Sequence, residues 1–209
     1  MIGIYGGTFD PIHHGHLRVA IELYERLGLS RVHLIPSARP PHRDIPSTPA
    51  ELRFEMVQAA VENISTLVAD DRELRRQGRS YMVDTLLGLR DEFGSDEPLC
   101  LLLCMDAFID LHHWHRWTEL IELAHIVIVQ RPGSGLQLDD ELKVFFERYV
   151  IDTTSNLRSQ SHGHIFLQPT PELNISSTAI REMLASKLNP RYLLPDSVLE
   201  LIHEHQLYY

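Results

Sequence analysis

The 209-residue chain carries 19 Lys and Arg against 29 Asp and Glu, for a formal net charge of −10. That balance argues against non-specific binding to a nucleic-acid backbone, which needs clustered cations. The hydrophobic content of 44% contains no apolar run of about 18 residues, so one α/β domain with an ordinary core and no membrane span is expected.

The first element is an apolar strand-like run, Met1 to Tyr5, entered without a charged leader or cleavage site, which makes the cytoplasm the default location. Gly6-Gly7-Thr8-Phe9-Asp10-Pro11-Ile12-His13-His14-Gly15-His16 follows, and then a helix-like run, Leu17 to Leu27. A strand, a glycine turn and a helix entry form an anion site, because free helix N–H groups and the helix dipole face the turn. Gly6 and Gly7 let a phosphate approach the backbone, Thr8 offers a hydroxyl, and Pro11 fixes φ before the helix. His13 and His16, three apart, share the first helical turn, and Gly15 leaves room between their imidazoles. Neither GxGxxG nor GxxxxGK[ST] occurs.

Further along, Val32–Ile35, Leu99–Met105, Ile126–Val129 and Ile165–Leu167 read as buried strands, with Leu67–Ala69 weaker. Helical spacing recurs at Leu17, Ile21, Tyr24 and Leu27, at Leu52, Met56, Ala59 and Ala60, and at Val83, Leu86, Leu87 and Phe93. Strands alternating with helices predict a doubly wound parallel sheet whose sites gather at the carboxyl ends of the strands. The polar stretch 153–164 reads as a mobile surface segment, and residues from roughly 170 to 209 as a small helical C-terminal part of a single domain. Cys100 and Cys104 share one strand, cannot bridge within it, and are expected as buried free thiols. Although 13 histidines are present, none of their clusters has the companions of a zinc site, so no protein-held metal is expected.

Several other residues can carry chemistry. Ser176, Ser177 and Thr178 are N-cap candidates for a helix through Leu184. With Thr178 as the cap, Arg181 sits at the third helical position, where its cation opposes the dipole unless a polyphosphate binds in front. An ordinary serine cap with an exposed arginine is the competing reading. His42 and Arg43, behind two prolines, form either a stiff arm over a phosphate or a solvated pair. Trp114 can stack a heteroaromatic ring or plug the core. Thr85 can bind a ligand or back-bond its own helix. Asp106 can accept from ribose hydroxyls or cap a helix, and Arg131 can meet a nucleotide or a surface carboxylate.

The stretch GGTFDPIHHGH resembles the G-T/S-F-D-P-x-H-x-G-H signature of the nucleotidyltransferase superfamily. Pro40-Pro41-His42-Arg43, Ser80 to Leu86, Asp106-Ala107-Phe108 with Trp114, Arg131-Pro132 and Ile175 to Arg181 extend that resemblance nearly end to end, to the bacterial nicotinate-nucleotide adenylyltransferases. The resemblance implies a Rossmann-like doubly wound sheet and transfer of AMP from ATP, accompanied by Mg²⁺, to nicotinate mononucleotide. The products would be deamido-NAD and pyrophosphate, and neither nucleic acid nor membrane is a partner. It implies catalytic roles for Thr8, His13, His16, Arg43 and Arg181. ATP contacts are implied at Gly6, Gly7, Thr8, Phe9, His16, Asp106, Arg131, Ser176, Ser177, Thr178 and Arg181, and nicotinate mononucleotide contacts at Thr85, Trp114 and His115. Two positions depart from the family pattern: Ser37 stands near an expected asparagine, and Cys104 takes the glycine position of Ile-Gly-x-Asp. Two alternatives stay open: the same transfer to nicotinamide mononucleotide or phosphopantetheine, and a nucleotide-binding regulator without catalysis. Intact His13, His16 and Arg181 weigh against the regulator.

Overall fold

Short runs of β-branched and leucine residues, each too short for a helix, build the centre of the structure. The structure is a computed structural model describing residues 1–40, 46, 48–130, 137–170 and 173–209. His42, Arg43 and Arg131 therefore lie outside the described residues. Among those described, β1 (Ile2–Gly7), β2 (Arg31–Pro36), β3 (Leu67–Ala69), β4 (Leu99–Cys104), β5 (His125–Gln130), β6 (Val150–Ile151) and β7 (Ile165–Pro169) form one sheet. Its order is β3-β2-β1-β4-β5-β7-β6, with every pairing parallel.

The chain order reverses between β1 and β4, and there the sheet opens. β1 pairs with β2 as far as Gly7↔Pro36, and β4 with β5 as far as Cys104↔Val129. Between β1 and β4, however, pairing stops at Ile4↔Leu101. Past that point the two strands part, leaving a crevice at their carboxyl ends, which is the binding position of open α/β sheets.

Alternating side chains divide the core between the two faces. Tyr5, Cys100, Leu102, Val127 and Val129 pack with α1 (His14–Leu27), α2 (Ala50–Val61), α9 (Ser177–Ala185) and α10 (Asp196–Glu204). Ile4, Leu101, Leu103, Ile126 and Ile128 pack with α4 (Met82–Phe93), α5 (Met105–Ile109) and α7 (Asp140–Tyr149). Each fully buried aliphatic side chain contributes about 1.5–3 kcal/mol of transfer free energy, so both helical layers are needed to close the sheet. Short helices α3 (Arg72–Arg75), α6 (Leu120–Leu123) and α8 (Ser155–Ser159) complete the chain.

Two expectations are corrected, and one strand is added. The stretch 153–164 contains α8, whose Leu157 is fully buried and whose Arg158 donates to the Leu27 carbonyl at 2.8 Å. That segment is pinned to the end of α1. The two-residue β6 was not anticipated, since two residues have no readable period. Cys100 is fully buried and desolvation pushes its thiol up to about 12, but Cys104, the last residue of β4, is only half-buried.

Candidate active site

The glycine-rich signature occupies the carboxyl end of β1, on the crevice. Phe9 adopts φ of 48° and the Asp10–Pro11 peptide is cis. The Phe9 ring is buried, edge-on to Tyr5 at 5.8 Å and to His16 at 5.1 Å. Its side chain thus supports His16 from beneath. His13 is the N-cap of α1, and its ring stacks on that of His16 with centroids 3.7 Å apart. Gly15 makes this stack possible, because a Cβ there would lie 3.0 Å from the His13 ring. Gly6 has a comparable reason: a Cβ would meet the Met82 methyl at 2.6 Å, so α4 closes directly onto the turn.

Both imidazoles are held neutral. Burial lowers His13 to about 4, helped by the neighbouring His14, and lowers His16 to about 3, helped by His13. Nδ1 of each ring is buried without a hydrogen-bond partner among the described residues. His125, at the start of β5, is likewise lowered to about 4 by burial, although a hydrogen bond to the Gln160 carbonyl partly offsets this. The unfolded chain protonates these groups near 6.5 while the native chain does not. Below that value the unfolded state binds more protons, so stability falls as pH drops from 6.5 toward about 4. Denaturant unfolding at a series of pH values measures this. His125→Asn should reduce the slope by up to about 1.4 kcal/mol per pH unit in that window, and an unchanged slope would contradict the assignment.

A buried cation, Arg53, holds the turn from below. It is 1% exposed and donates to three carbonyls: Thr8 at 2.5 Å, Ser37 at 2.7 Å and Thr48 at 3.2 Å. Ser37 in turn donates its amide to the Gly7 carbonyl at 2.9 Å. Nothing in the signature pointed to Arg53. Its legible trace is position, since Arg53 shares the buried stripe of α2 with Met56, Val57 and Ala60.

The segment before α9 arrives beside the histidines, with the Ile175 carbonyl 3.5 Å from a Cβ at Gly15. Ser177 donates to the Pro11 carbonyl at 2.9 Å, and Arg181 Nη1 to the Asp10 carbonyl at 2.7 Å. The helix cap is Ser176, not Thr178: its hydroxyl accepts from the Ala179 amide at 3.1 Å. Arg181 therefore stands more than one turn into the helix, where the opposing dipole is weaker. Its Nη2 lies 3.4 Å from the Thr178 hydroxyl.

Trp114, His115 and Thr85 are the residues that the resemblance links to the pyridine half. Trp114 is half-buried against the core and His115 is exposed, its ring 4.2 Å from that of Tyr81, the N-cap of α4. Thr85 is fully buried and its hydroxyl is engaged, donating to Glu73 at 2.7 Å and accepting from Arg76 at 3.1 Å. A carboxylate ligand would compete with Glu73 for that proton. Asp106 is exposed in the first turn of α5, directly after β4. Half-buried Cys104 ends β4, its sulfur 3.7 Å from the Tyr5 hydroxyl across the crevice.

A separate cavity of about 690 Å³ lies between α2 and α10 and is lined by Glu55, Glu62, Glu200 and Glu204. Four carboxylates repel a triphosphate, so the crevice is the better site. Among the described residues, no group of three or more His, Cys, Asp or Glu side chains could hold a metal ion. The donors around the signature are imidazoles, amides and a guanidinium, which suit phosphates that bring a divalent cation with them. No helix among the described residues is long and apolar enough to cross a membrane.

The cytidylyltransferase-like family model matches residues 4–183. The chain is 47% identical, over 100% of its length and 99% of the relative's, to a probable nicotinate-nucleotide adenylyltransferase of Methylococcus capsulatus. A protein of the same name from Pseudomonas putida is 45% identical over 99% of this chain and 94% of its own. The nicotinic acid mononucleotide adenylyltransferase of Plasmodium falciparum, solved in complex with NaAD, has the same fold, with a TM-score of 0.73 at 19% identity covering 99% and 96% of the two chains. With a relative at 47% identity across the whole length and the strand-end crevice carrying the matched signature, the chain belongs to the nicotinate-nucleotide adenylyltransferases of the cytidylyltransferase-like family.

Proposed function

We propose that residues 1–209 act as one nucleotidyltransferase domain that transfers AMP from ATP to nicotinate mononucleotide, releasing pyrophosphate and forming deamido-NAD. One observation carries this reading: Ser177 and Arg181 tie α9 to the Asp10–Pro11 turn, which sets a helix N-terminus and a guanidinium beside the stacked imidazoles. Ser176 already occupies the Ala179 and Ile180 amides, so the amides of Ser177 and Thr178 are those left for a phosphate.

In the reaction, a phosphate oxygen of nicotinate mononucleotide forms a bond to the α-phosphorus of ATP while the bond from that phosphorus to the α,β-bridging oxygen breaks, and the oxygen leaves with its electron pair as part of pyrophosphate. The nucleophile is already anionic, so neither a strong base nor a protein-bound intermediate is needed. Rate enhancement then rests on in-line alignment and on neutralising charge at the α-phosphorus. Neutral His16, with its proton on Nε2, is the donor to the transferred phosphate. His13 contacts the leaving phosphates, Thr8 holds them with the backbone of Gly6, Gly7 and Phe9, and Arg43 and Arg181 bind the triphosphate. Asp106 and Arg131 meet the adenosine half. Trp114 stacks the pyridine ring, with His115 and Thr85 at its carboxylate. His16 and Arg181 would hold the phosphates that bring Mg²⁺ with them, and the ion would supply further charge neutralisation. The cytoplasm, where ATP and mononucleotides are available, is the location we propose for it. Pyrophosphate release that depends on both ATP and nicotinate mononucleotide is the test.

A further inference from the structure

Asp10 is the one acidic residue of the signature, and it is 6% exposed. Its carboxylate Oδ1 accepts from the hydroxyl of Tyr208, 198 residues away, at 2.6 Å. Its carbonyl, not its carboxylate, accepts from Arg181 at 2.7 Å. Tyr208 gets there through an uncommon backbone, with φ of 68° and φ of 51° at Gln206 two residues earlier. Left-handed backbone at such residues is disfavoured and persists where side-chain contacts fix it. Burial first, and then the bond to Asp10, raise the phenol above its ordinary value and keep it a donor. Arg53 and Arg181 both lie within electrostatic reach of this cluster.

Two cations thus flank one buried carboxylate, yet the carboxylate is served by a neutral hydroxyl. We propose that Tyr208 is a positioning residue for the adenylyl transfer: by satisfying the Asp10 carboxylate, it keeps the Arg181 guanidinium on the Asp10 carbonyl and available to the ATP phosphates. Without that hydroxyl, the bare carboxylate has two cations within reach; Arg53 is already held by three carbonyls, whereas Arg181 sits on the carbonyl of Asp10 itself, so Arg181 is the one free to turn, and a charge-assisted pair would withdraw it from the triphosphate. The inference rests on the phosphate role given to Arg181.

Steady-state kinetics on the full chain tests it. Tyr208→Phe should raise the KM for ATP about ten-fold, with kcat and the KM for nicotinate mononucleotide changing less than about three-fold. Adding Asp10→Asn to that variant removes the charge that draws Arg181 and should bring the KM for ATP back toward its original value. A purely structural role would instead lower the melting temperature and move kcat and both KM values together, so a thermal melt accompanies the kinetics. An unchanged KM for ATP in Tyr208→Phe, or a raised KM that Asp10→Asn does not restore, overturns the proposal. Arg181→Ala alone separates the two levels. If it leaves the KM for ATP unchanged, the phosphate role of Arg181 fails and the proposal falls with it. If it raises that KM while Tyr208→Phe is silent, only the role of Tyr208 is lost.

Discussion

His16→Ala should lower turnover about 10²–10³-fold, the loss seen when one donor to a developing oxyanion is removed. The imidazole stands where the chemistry is proposed, stacked on His13 and braced by the edges of Phe9 and Tyr5. Burial keeps it neutral, so it acts as a hydrogen-bond donor rather than as a fixed charge. Alanine removes the donor and leaves the backbone of α1 intact, because the His16 amide bonds to the His13 carbonyl at 3.0 Å regardless of side chain. The loss should therefore appear in kcat and kcat/KM together, with a smaller change in the KM for ATP. Steady-state kinetics beside a thermal melt measures this. A variant that melts normally and keeps near-full turnover would remove His16 from the mechanism.

The second large effect is on stability. Arg53→Ala should cost roughly 3–5 kcal/mol, the range for leaving buried partners of a removed charge unsatisfied. Three carbonyls, of Thr8, Ser37 and Thr48, lose their donor at once, and a cavity opens under the signature turn. At about 2–4 °C per kcal/mol for a chain of this size, the melting temperature should fall by about 10 °C. Arg53→Met fills much of the volume without replacing the donors. If methionine restored the melting temperature, packing rather than hydrogen bonding would be the role of Arg53. Because Arg53 fixes the Thr8 carbonyl, kcat/KM for ATP should fall as well in either variant.

Much of this architecture can be read from the sequence because it is local. The runs that become β1, β2, β4, β5 and β7 are short and largely apolar, and the signature announces a strand, a turn and a helix within sixteen residues of the start. His13 and His16 meet because three residues separate them on one helical turn, and Gly15 between them is legible as space. What is not legible is long-range. Asp10 reads as part of a motif, and only the fold brings Tyr208 to it. Arg53 reads as an interruption of an apolar stripe until Thr8, Ser37 and Thr48 converge on it. Thr85 is a mixed case: its place in a helix suggests a ligand contact or a bond to its own helix, and the hydroxyl does lie 3.3 Å from the Tyr81 carbonyl one turn back, but Glu73 and Arg76, from a separate short segment, also engage it. Helix α8 is five residues long, too short for periodicity, and is anchored by Leu157 and by Arg158 reaching α1. Ser176 over Thr178 as the cap was a choice among three adjacent hydroxyls that composition alone does not make.

The central claim is direct adenylyl transfer to nicotinate mononucleotide in the crevice between β1 and β4. It is tested most directly by incubating the protein with ATP labelled at the α-phosphorus and a panel of acceptors: nicotinate mononucleotide, nicotinamide mononucleotide and phosphopantetheine, with CTP as the alternative donor. The account predicts label in deamido-NAD, one unlabelled pyrophosphate released per product, and no label retained on the protein, with nicotinate mononucleotide the preferred acceptor and ATP the preferred donor. Tight ATP binding without transfer to any acceptor, or label held covalently by the protein, would contradict it.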